Sequence, residues 1–358
     1  MAKRKTYVEL DCFNAIACLL VILIHVLSIG ITSLEKNSVQ LAVIYLPWKL
    51  AAYVVPGFLF TGAVKMALGF EAERRPLTLS GYAKYVWRRI LKIYLPYVMW
   101  VGIYYLYFLR IGWVKPGIGV FLRYVLVGDL SSPFYYVVTV MQFYLLMPLW
   151  RWMTMRIPWF AGILTAGIVT LGMLYSEGIL SQMGIAFAYR DRVFPSYLIF
   201  WVLGLYAGKY YDTVRESLKH HTVSVLAMLI PVALYGVGML VQYAGGIWLF
   251  DGNVIKMFSD CMTICVMLTL CIRIADGNCA AIKAPLAWIC RASFTVYLSH
   301  CLFLQLISAE IAEHSITDIS VQLILRAAVC YTAPFVLWYG WYWAKKGIHI
   351  LCRKRKAA

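Results

Sequence analysis

Long apolar stretches without a charged side chain alternate with short charged segments along the whole chain. The longest of them contain 18 to 23 residues and cover residues 12–34, 130–150, 157–176, 292–309 and 327–344. A helix needs about 20 apolar residues to cross the hydrocarbon core of a bilayer. With the shorter stretches added, the pattern predicts ten transmembrane helices. We place them near residues 9–31, 41–68, 90–110, 134–150, 157–176, 194–211, 221–243, 254–274, 285–308 and 321–344.

Composition supports the same fold class. Of the 358 residues, 63% are hydrophobic and 14% are charged, whereas a soluble domain is roughly half apolar and about a quarter charged. Disordered chains, coiled coils and secreted disulfide scaffolds are excluded. We therefore expect an all-α integral membrane protein, a single domain over residues 1–358 without an appended soluble domain, whose first helix is retained rather than cleaved as a signal peptide.

The distribution of basic residues predicts the orientation. The chain has 33 Lys and Arg against 16 Asp and Glu, a net charge of +17. With ten helices, 21 basic residues fall on the side of the termini and six on the other side. Because cytoplasmic loops carry an excess of Lys and Arg, we expect both termini in the cytoplasm. No basic stretch is interleaved with aromatic residues outside the spans, so nucleic acid is not an expected partner.

The ten cysteines form no Cys-x-x-Cys pair, and most lie within apolar stretches. Cys261 and Cys265 are four residues apart on a predicted helix, with no further ligand at a suitable spacing. Such cysteines are typical of small buried apolar side chains. We expect no metal site.

Two histidines lie inside predicted spans. His25 is about 25 Å along the first helix from its cytoplasmic start, and His300 is about 22 Å along the ninth, at a rise of about 1.5 Å per residue. Both helices run outward, so we expect the imidazoles at a similar depth. Either histidine alone is equally consistent with a structural hydrogen bond to a neighbouring helix. A matched pair suits proton transfer, with imidazole as general base on a hydroxyl.

Basic residues mark the inner end of the third helix, in the segment Arg88-Arg89-Ile90-Leu91-Lys92. Cations at an inner helix end ordinarily anchor to lipid headgroups. Arg291, however, lies within the ninth span. Together these four residues are candidates to hold a phosphorylated donor at the inner mouth.

Other polar residues within the spans are more often interhelical hydrogen-bonding groups than site residues. They are Asn14, Gln142, Ser293, Tyr297 and Ser299. Asp260 and Glu310 lie near outer helix ends, where either could orient a histidine; the sequence does not decide between them.

Several blocks share their order and spacing with a known family. They cover residues 10–25, 55–62, 88–97, 134–148, 200–206 and 290–300. The last block contains Ser-Phe-Thr-Val-Tyr-Leu-Ser-His, ending at His300. On these blocks the chain resembles the membrane acyltransferase-3 family and its Ser-Phe-x-x-Tyr-Leu-x-His signature. Two positions depart from the family pattern: Asn14 stands where the family usually has Arg, and Lys92 replaces the second Arg of an Arg-x-x-Arg motif.

The resemblance implies an O-acyltransferase of the bacterial-type plasma (inner) membrane. Its expected partners are the lipid bilayer, cytoplasmic acetyl-coenzyme A as acyl donor, and a hydroxyl of an extracytoplasmic glycan or cell-envelope sugar; a homo-oligomer stays open. We expect the four cations to hold the coenzyme phosphates and Asn14 to help place the donor.

We expect His25 to act as base or transient acyl carrier, and Tyr297, Ser293 or protonated His300 to stabilise developing negative charge. A small-molecule transporter and a non-catalytic envelope-assembly subunit are the alternatives. Asn14 favours the second of these.

Overall fold

The computed structural model describes residues 7–36, 38–72, 77–247 and 251–355, with side chains described as far as Lys346 except at Ala72. Within these ranges the regular structure is helical and contains no β-strand. The predicted all-α membrane fold is confirmed. Cytoplasmic termini stay a prediction.

Seventeen α-helices follow one another in the described part of the chain. They are α1 (Val8–Ser33), α2 (Val39–Leu50), α3 (Val54–Ala72), α4 (Leu79–Arg89), α5 (Leu95–Arg110), α6 (Ile118–Val127), α7 (Phe134–Leu145), α8 (Met147–Arg156), α9 (Trp159–Gln182), α10 (Leu198–Lys209), α11 (Tyr211–His220), α12 (Thr222–Ala227), α13 (Leu229–Tyr243), α14 (Gly252–Asp276), α15 (Ala280–Glu313), α16 (Ile319–Cys330) and α17 (Ala333–Arg355). A π-helical turn over Ile90–Tyr94 joins α4 to α5.

Eight helical segments of the described chain are long and apolar enough to cross a membrane. They are Val8–Ser33, Val39–Glu71, Leu79–Arg110, Trp159–Gln182, Thr222–Tyr243, Gly252–Asp276, Ala280–Glu313 and Ile319–Lys346. Each overlaps one predicted span. The two other predicted spans, 134–150 and 194–211, correspond to the shorter helices α7, α8 and α10, so the count of ten stays a prediction.

Helix α1 packs against α2, α3, α14, α15 and α16 and occupies the centre of the bundle. One of these neighbours, α14, carries two charges within its apolar sequence. The charges pair with each other, because Lys256 Nζ lies 2.5 Å from Asp260 Oδ2 one helical turn away. This pairing lets the helix continue without an isolated charge.

Two glycines bring α10 against α3. A Cβ at Gly204 would collide with the carbonyl oxygen of Phe60, and a Cβ at Gly208 would lie 2.7 Å from that of Val64. Small residues four apart allow helix backbones to approach closely in membranes. The tight pairing fixes α3, which carries Phe58 and Thr61 of the site described below.

An ion-pair network ties α1 to α11 and α14 at the inner ends of α1 and α14. The buried carboxylate of Glu9 accepts hydrogen bonds from Tyr211 Oη at 2.7 Å and from Arg215 Nε at 3.2 Å. Arg215 also pairs with Asp276, which Lys219 contacts at 3.1 Å. The network satisfies a carboxylate that would otherwise be buried without a partner.

Candidate functional site

The two membrane histidines meet where α1 packs on α15. The ring centroids of His25 and His300 are 5.0 Å apart and the ring planes are tilted by 51°. The predicted similar depth of the two imidazoles is confirmed. Their roles are not equivalent, because His25 is partly exposed whereas His300 is fully buried.

Hydrogen bonds define the protonation of His300. Its Nδ1 lies 3.0 Å from the carbonyl oxygen of Val296. A carbonyl only accepts, so Nδ1 carries a proton and, in the neutral ring, Nε2 presents its lone pair. Cys301 Sγ lies 3.4 Å from Nε2. His300 is therefore oriented by its own helix, and Nε2, which contacts the Cys301 thiol, is the nitrogen left to exchange a proton.

The hydroxyl of Tyr104, on α5, is inserted into the backbone of α15 beside His300. It donates to the carbonyl of Leu298 at 3.1 Å and accepts from the backbone N–H of Leu302 at 2.6 Å. An undisturbed α-helix would pair these two groups with each other. Tyr104 thus holds the helical turn that carries His300, a role that the sequence did not reveal.

A cavity of about 390 Å³ opens beside His25. Its lining is formed by His25, Ser28, Phe108, Trp113, Val114, Tyr124, Asp129, Leu130, Ser131, Ser132, Cys301, Leu304 and Gln305. We call it the outer cavity, because residues 111–133 form much of its wall and precede the fourth predicted span on the side expected to be extracytoplasmic. His25 faces it, and His300 lies behind His25.

An acid in this cavity replaces the two that the sequence analysis considered. Asp260 pairs with Lys256, and Glu310 is exposed and contacts His314 through its backbone carbonyl; no contact joins either carboxylate to His25 or His300. Asp129 lines the outer cavity with His25. Its Oδ2 accepts from Arg123 at 2.6 Å, whereas its buried Oδ1 has no hydrogen-bond partner.

Three atoms beside the cavity resemble metal ligands. Ring nitrogens of His25 and His300 and the sulfur of Cys301 lie within 4.8 Å of one another. His300 and Cys301 are consecutive, but His25 lies far away in the sequence, so no motif spacing could predict the cluster. The 3.4 Å contact between Cys301 Sγ and His300 Nε2 is compatible with an ordinary S–H···N hydrogen bond. A metal-free site stays a prediction.

Of the four predicted cations, one packs against aromatic rings and three are exposed. The guanidinium of Arg89 lies 4.3 Å from the ring centroid of Tyr144 and 5.1 Å from that of Tyr85. Arg88, Lys92 and Arg291 are exposed. We refer to these four cations as the inner basic end. Arg89 alone among them is held against aromatic faces, an arrangement worth more when the cation is partly desolvated.

The π-helical turn explains the local geometry of the basic segment. Pro96 lacks an N–H and its ring would clash with the carbonyl of Lys92 in a regular helix. The turn widens instead, and Leu95 N–H bonds to the carbonyl of Ile90, five residues back. Such bulges recur at functional sites, and this one separates Arg88 and Arg89 from Lys92.

Asn14 faces α3 rather than the basic segment of residues 88–92. Its Oδ1 accepts a hydrogen bond from Thr61 at 2.7 Å. One turn further along α3, Lys65 Nζ pairs with Asp11 at 3.0 Å. The place of the family arginine is therefore occupied by a neutral amide with a lysine nearby.

Aromatic side chains lie between Asn14 and the histidines. The rings of Phe58, Tyr136 and Tyr297 have centroids 5.4 to 6.1 Å apart, and Tyr297 lies 6.1 Å from His300. We call these three residues the aromatic layer. Neither Asn14 nor any cation of the inner basic end lines the outer cavity. The single pocket expected to join cations to imidazoles is therefore not formed as one cavity.

The remaining predicted polar residues are engaged by the backbone. The Tyr297 hydroxyl donates to the carbonyl of Pro133 at 2.6 Å, and Ser293 Oγ donates to that of Cys290 at 2.8 Å. Ser293 lies two turns inward of His300, outside the outer cavity. To stabilise an oxyanion near His25, Tyr297 would have to leave Pro133, and Ser293 is too far along α15.

Gln142 and Ser299 have structural roles. Gln142 donates to the carbonyl of Arg192 at 2.7 Å and accepts from the N–H of Phe194 at 3.1 Å, so it fixes the segment before α10. Ser299 is fully buried, and its Oγ donates to the carbonyl of Val296 at 3.5 Å. Gln142 agrees with the expected bonding to a neighbouring segment, whereas Ser299 bonds within its own helix.

A family model described as an acyltransferase domain, that of the acyltransferase-3 family, matches residues 7–343. The chain belongs to the acyltransferase-3 family. A search of curated proteins and a search of solved structures each found no match. The match spans both histidines, the basic segment and the outer cavity, so the resemblance of the sequence blocks is confirmed over nearly the whole chain.

Membership in the acyltransferase-3 family makes this chain a multi-pass membrane acyltransferase. The matched range includes the two departures, Asn14 and Lys92. In the structure neither removes all positive charge from the inner end, since Arg89 and Lys65 lie there with them. The family therefore gives the reaction class, and the geometry bears on which residues of this chain would serve each step of the reaction.

Proposed function

We propose that the protein transfers an acetyl group from cytoplasmic acetyl-coenzyme A to a hydroxyl of an extracytoplasmic glycan, in the plasma membrane of a bacterium. The single observation that carries the proposal is the placement of His25. Its imidazole lines a cavity on the expected outer side and contacts a second, buried imidazole. A hydroxyl acceptor in that cavity meets a base within a site shielded from the other side.

His25 acts as the general base in this proposal. It removes the proton of the acceptor hydroxyl while the oxygen attacks the thioester carbonyl; the C–S bond then breaks and the thiolate of the coenzyme leaves. His300 supports the transfer through Nε2, because its Nδ1 is committed to Val296. Once protonated, His300 has an N–H at Nε2 to stabilise negative charge on the carbonyl oxygen.

Acyl transfer through His25 itself is the second route. The imidazole nitrogen would attack the thioester, carry the acetyl group, and release it to the acceptor hydroxyl. Both routes require His25, and they differ in whether a labelled acetyl group stays on the protein after the coenzyme is removed. Acid quench of donor-loaded protein without acceptor separates them.

The donor binds at the inner basic end. Phosphate groups of the coenzyme carry the charge that Arg89 and its neighbours Arg88, Lys92 and Arg291 attract. Arg89 is the principal contact in this proposal, because the rings of Tyr85 and Tyr144 hold it in place. The exposed three add long-range attraction, and Asn14 and Lys65 border the path of the thioester arm.

The aromatic layer must open for the thioester to reach His25. Tyr297 is the side chain next to His300, and its hydroxyl is bonded to Pro133, at the start of α7. Rotation of Tyr297 away from Pro133 would connect the two sides. A closed layer in the absence of donor also protects the thioester from water.

Membranes that contain the protein provide the test. We expect labelled acetyl to pass from acetyl-coenzyme A to glycan with wild-type protein and with His314→Ala, which removes an exposed histidine at the end of α15. We expect no transfer above background with His25→Ala. Wild-type rates in His25→Ala would remove the residue from the chemistry and end the proposal.

Heat stability of the purified protein separates the competing functions. An acyltransferase gains stability with acetyl-coenzyme A, because a ligand that binds only the folded state shifts unfolding. A transporter would be stabilised by its small-molecule cargo instead. A non-catalytic subunit would show neither coenzyme binding nor transfer, and that outcome would contradict the proposal.

A further inference from the structure

The outer cavity holds two features that the acid–base chemistry of His25 does not use: the broad ring of Trp113 and the unpartnered carboxylate oxygen of Asp129. Both line the cavity together with His25. The inference drawn from them rests on the proposed function, since it names the class of acceptor that the same cavity takes.

Trp113 is held rigidly by the end of α5. The backbone N–H of Trp113 donates to the carbonyl of Phe108 at 2.9 Å, and the backbone N–H of Gly112 donates to the carbonyl of Leu109 at 3.2 Å. Gly112 has a φ of +78°. This is the Schellman arrangement, in which glycine takes the left-handed conformation. The ring of Trp113 stacks on that of Phe108 at 5.3 Å with planes 16° apart.

The stacking leaves one face of Trp113 open. Phe108 is buried, whereas Trp113 is 65% exposed. An aromatic face carries partial negative charge, and the C–H groups on the flat side of a pyranose ring carry partial positive charge. A rigid, open tryptophan face in a cavity is therefore suited to a sugar ring.

Asp129 supplies the polar recognition. Gly128, with φ of +71°, ends α6 and turns the chain so that Asp129 follows directly. Oδ2 is bound by Arg123, and Arg123 is bound in turn by Tyr189 Oη at 3.2 Å. Oδ1 is buried and lacks a donor. A buried acceptor without a partner costs free energy, and hydroxyl groups of a bound sugar are donors.

The size of the cavity limits how much of an acceptor it holds. Its volume of about 390 Å³ is at the lower end of the roughly 300–1,000 Å³ typical of ligand pockets. A single sugar unit fits this space better than a long segment of chain. The carboxylate of Asp129 also disfavours a second negative charge beside it.

We propose that the outer cavity is a subsite for one neutral pyranose unit of the acceptor. The open face of Trp113 stacks on the sugar ring. The Asp129 carboxylate turns its buried Oδ1 toward the cavity to accept hydrogen bonds from sugar hydroxyls, and another hydroxyl of the same ring is placed at His25. An acidic sugar is disfavoured because it would bring a second carboxylate beside Asp129, whose charge Arg123 already pairs, so neutral sugars are preferred.

Saturation-transfer NMR on the full-length protein in detergent tests this subsite without requiring acyl transfer. The probes are methyl β-glucoside and methyl β-glucuronide, which differ in the charge of one group. We expect binding of the glucoside and about tenfold weaker binding of the glucuronide. Equal binding of the two probes, or binding of neither, would overturn the selection for a neutral sugar.

Variants locate the binding. Trp113→Ala should weaken glucoside binding by about tenfold, and Trp113→Phe should retain most of it. The matched control is Trp159→Ala, because Trp159 is 55% exposed and does not line the cavity. Asp129→Asn should weaken glucoside binding several-fold and reduce the preference for glucoside over glucuronide. The control Asp212→Asn, at an exposed site elsewhere, should change neither the affinity nor the preference. Equal effects of Trp113→Ala and Trp159→Ala would mean that Trp113 only anchors the protein at the membrane surface.

The two proposals fail separately. Trp113-dependent sugar binding in a protein that never transfers acetyl would retain the subsite and end the proposed function. Acetyl transfer that is unchanged in Trp113→Ala at low acceptor concentration would retain the function and end the subsite.

Discussion

The outer cavity and the inner basic end are built in different ways. Around His25, the side chains come from four helices and their loops, and the turn of α15 that carries His300 is held by the inserted hydroxyl of Tyr104. The inner basic end is a short segment of sequence plus Arg291, and three of its four cations are exposed.

This difference matches the demands of the two tasks. Proton transfer requires a base within hydrogen-bond distance of the hydroxyl, so the outer cavity must be held to a fraction of an ångström. Attraction of a polyanionic donor acts over longer distances and tolerates movement. The aromatic layer separates the two regions, so variants on either side should alter different kinetic constants.

Removal of the imidazole of His25 should have the largest effect. We expect His25→Ala to lower kcat by about 10²–10⁴-fold, the range for loss of a general base, with donor affinity unchanged. Labelled-acetyl transfer and donor-induced heat stability measure the two quantities. If His25→Ala changed only the donor affinity, His25 would act together with the inner basic end. The contrast between the two regions would then be wrong.

Arg89 should dominate donor binding over its exposed neighbour. We expect Arg89→Ala to raise the donor KM by about tenfold, as for loss of one hydrogen bond to a charged group. Arg88→Ala, the matched control on the same turn, should raise it by less than about threefold. Equal effects would mean that the basic segment acts only through its total charge.

Tyr104→Phe tests whether the inserted hydroxyl positions His300. We expect kcat to fall by about three- to tenfold, with both KM values unchanged and stability lower by about 1 kcal/mol for one lost hydrogen bond. Tyr107→Phe on the same helix is the control. An unchanged kcat would assign Tyr104 to stability alone.

Arg215→Ala should affect stability and leave the chemistry intact. It leaves Glu9 with one hydrogen bond in place of two and removes a partner of Asp276, so we expect a loss of about 1–3 kcal/mol. Thermal unfolding measures that loss, and transfer per folded molecule should equal that of the wild type. A lower specific activity of folded protein would connect this network to the site.

Much of the fold followed from the pattern of apolar residues. Charge-free stretches located the long helices, and depth arithmetic along α1 and α15 predicted that His25 and His300 lie at a similar depth; their contact is a finding of the structure. Where elements are shorter than a bilayer crossing, as in α7 and α10, length alone could not decide whether they span it.

The cavity wall was not predictable in the same way. Trp113 and Asp129 lie just beyond helix ends that glycines close, so no helical period places them beside His25. The glycine after each helix was the available signal. Asp260 was misjudged as a partner for a histidine because its actual partner, Lys256, lies on its own helix at a spacing of four.

The sidedness of transfer tests the central claim most directly, namely that a donor site inside and a base outside serve one reaction. Inverted membrane vesicles from cells that produce the protein expose the inner face to added labelled acetyl-coenzyme A. The account predicts that label enters glycan in the vesicle lumen, that right-side-out vesicles incorporate none, and that His25→Ala abolishes the signal. Equal incorporation in both kinds of vesicle, or incorporation by His25→Ala, would contradict it.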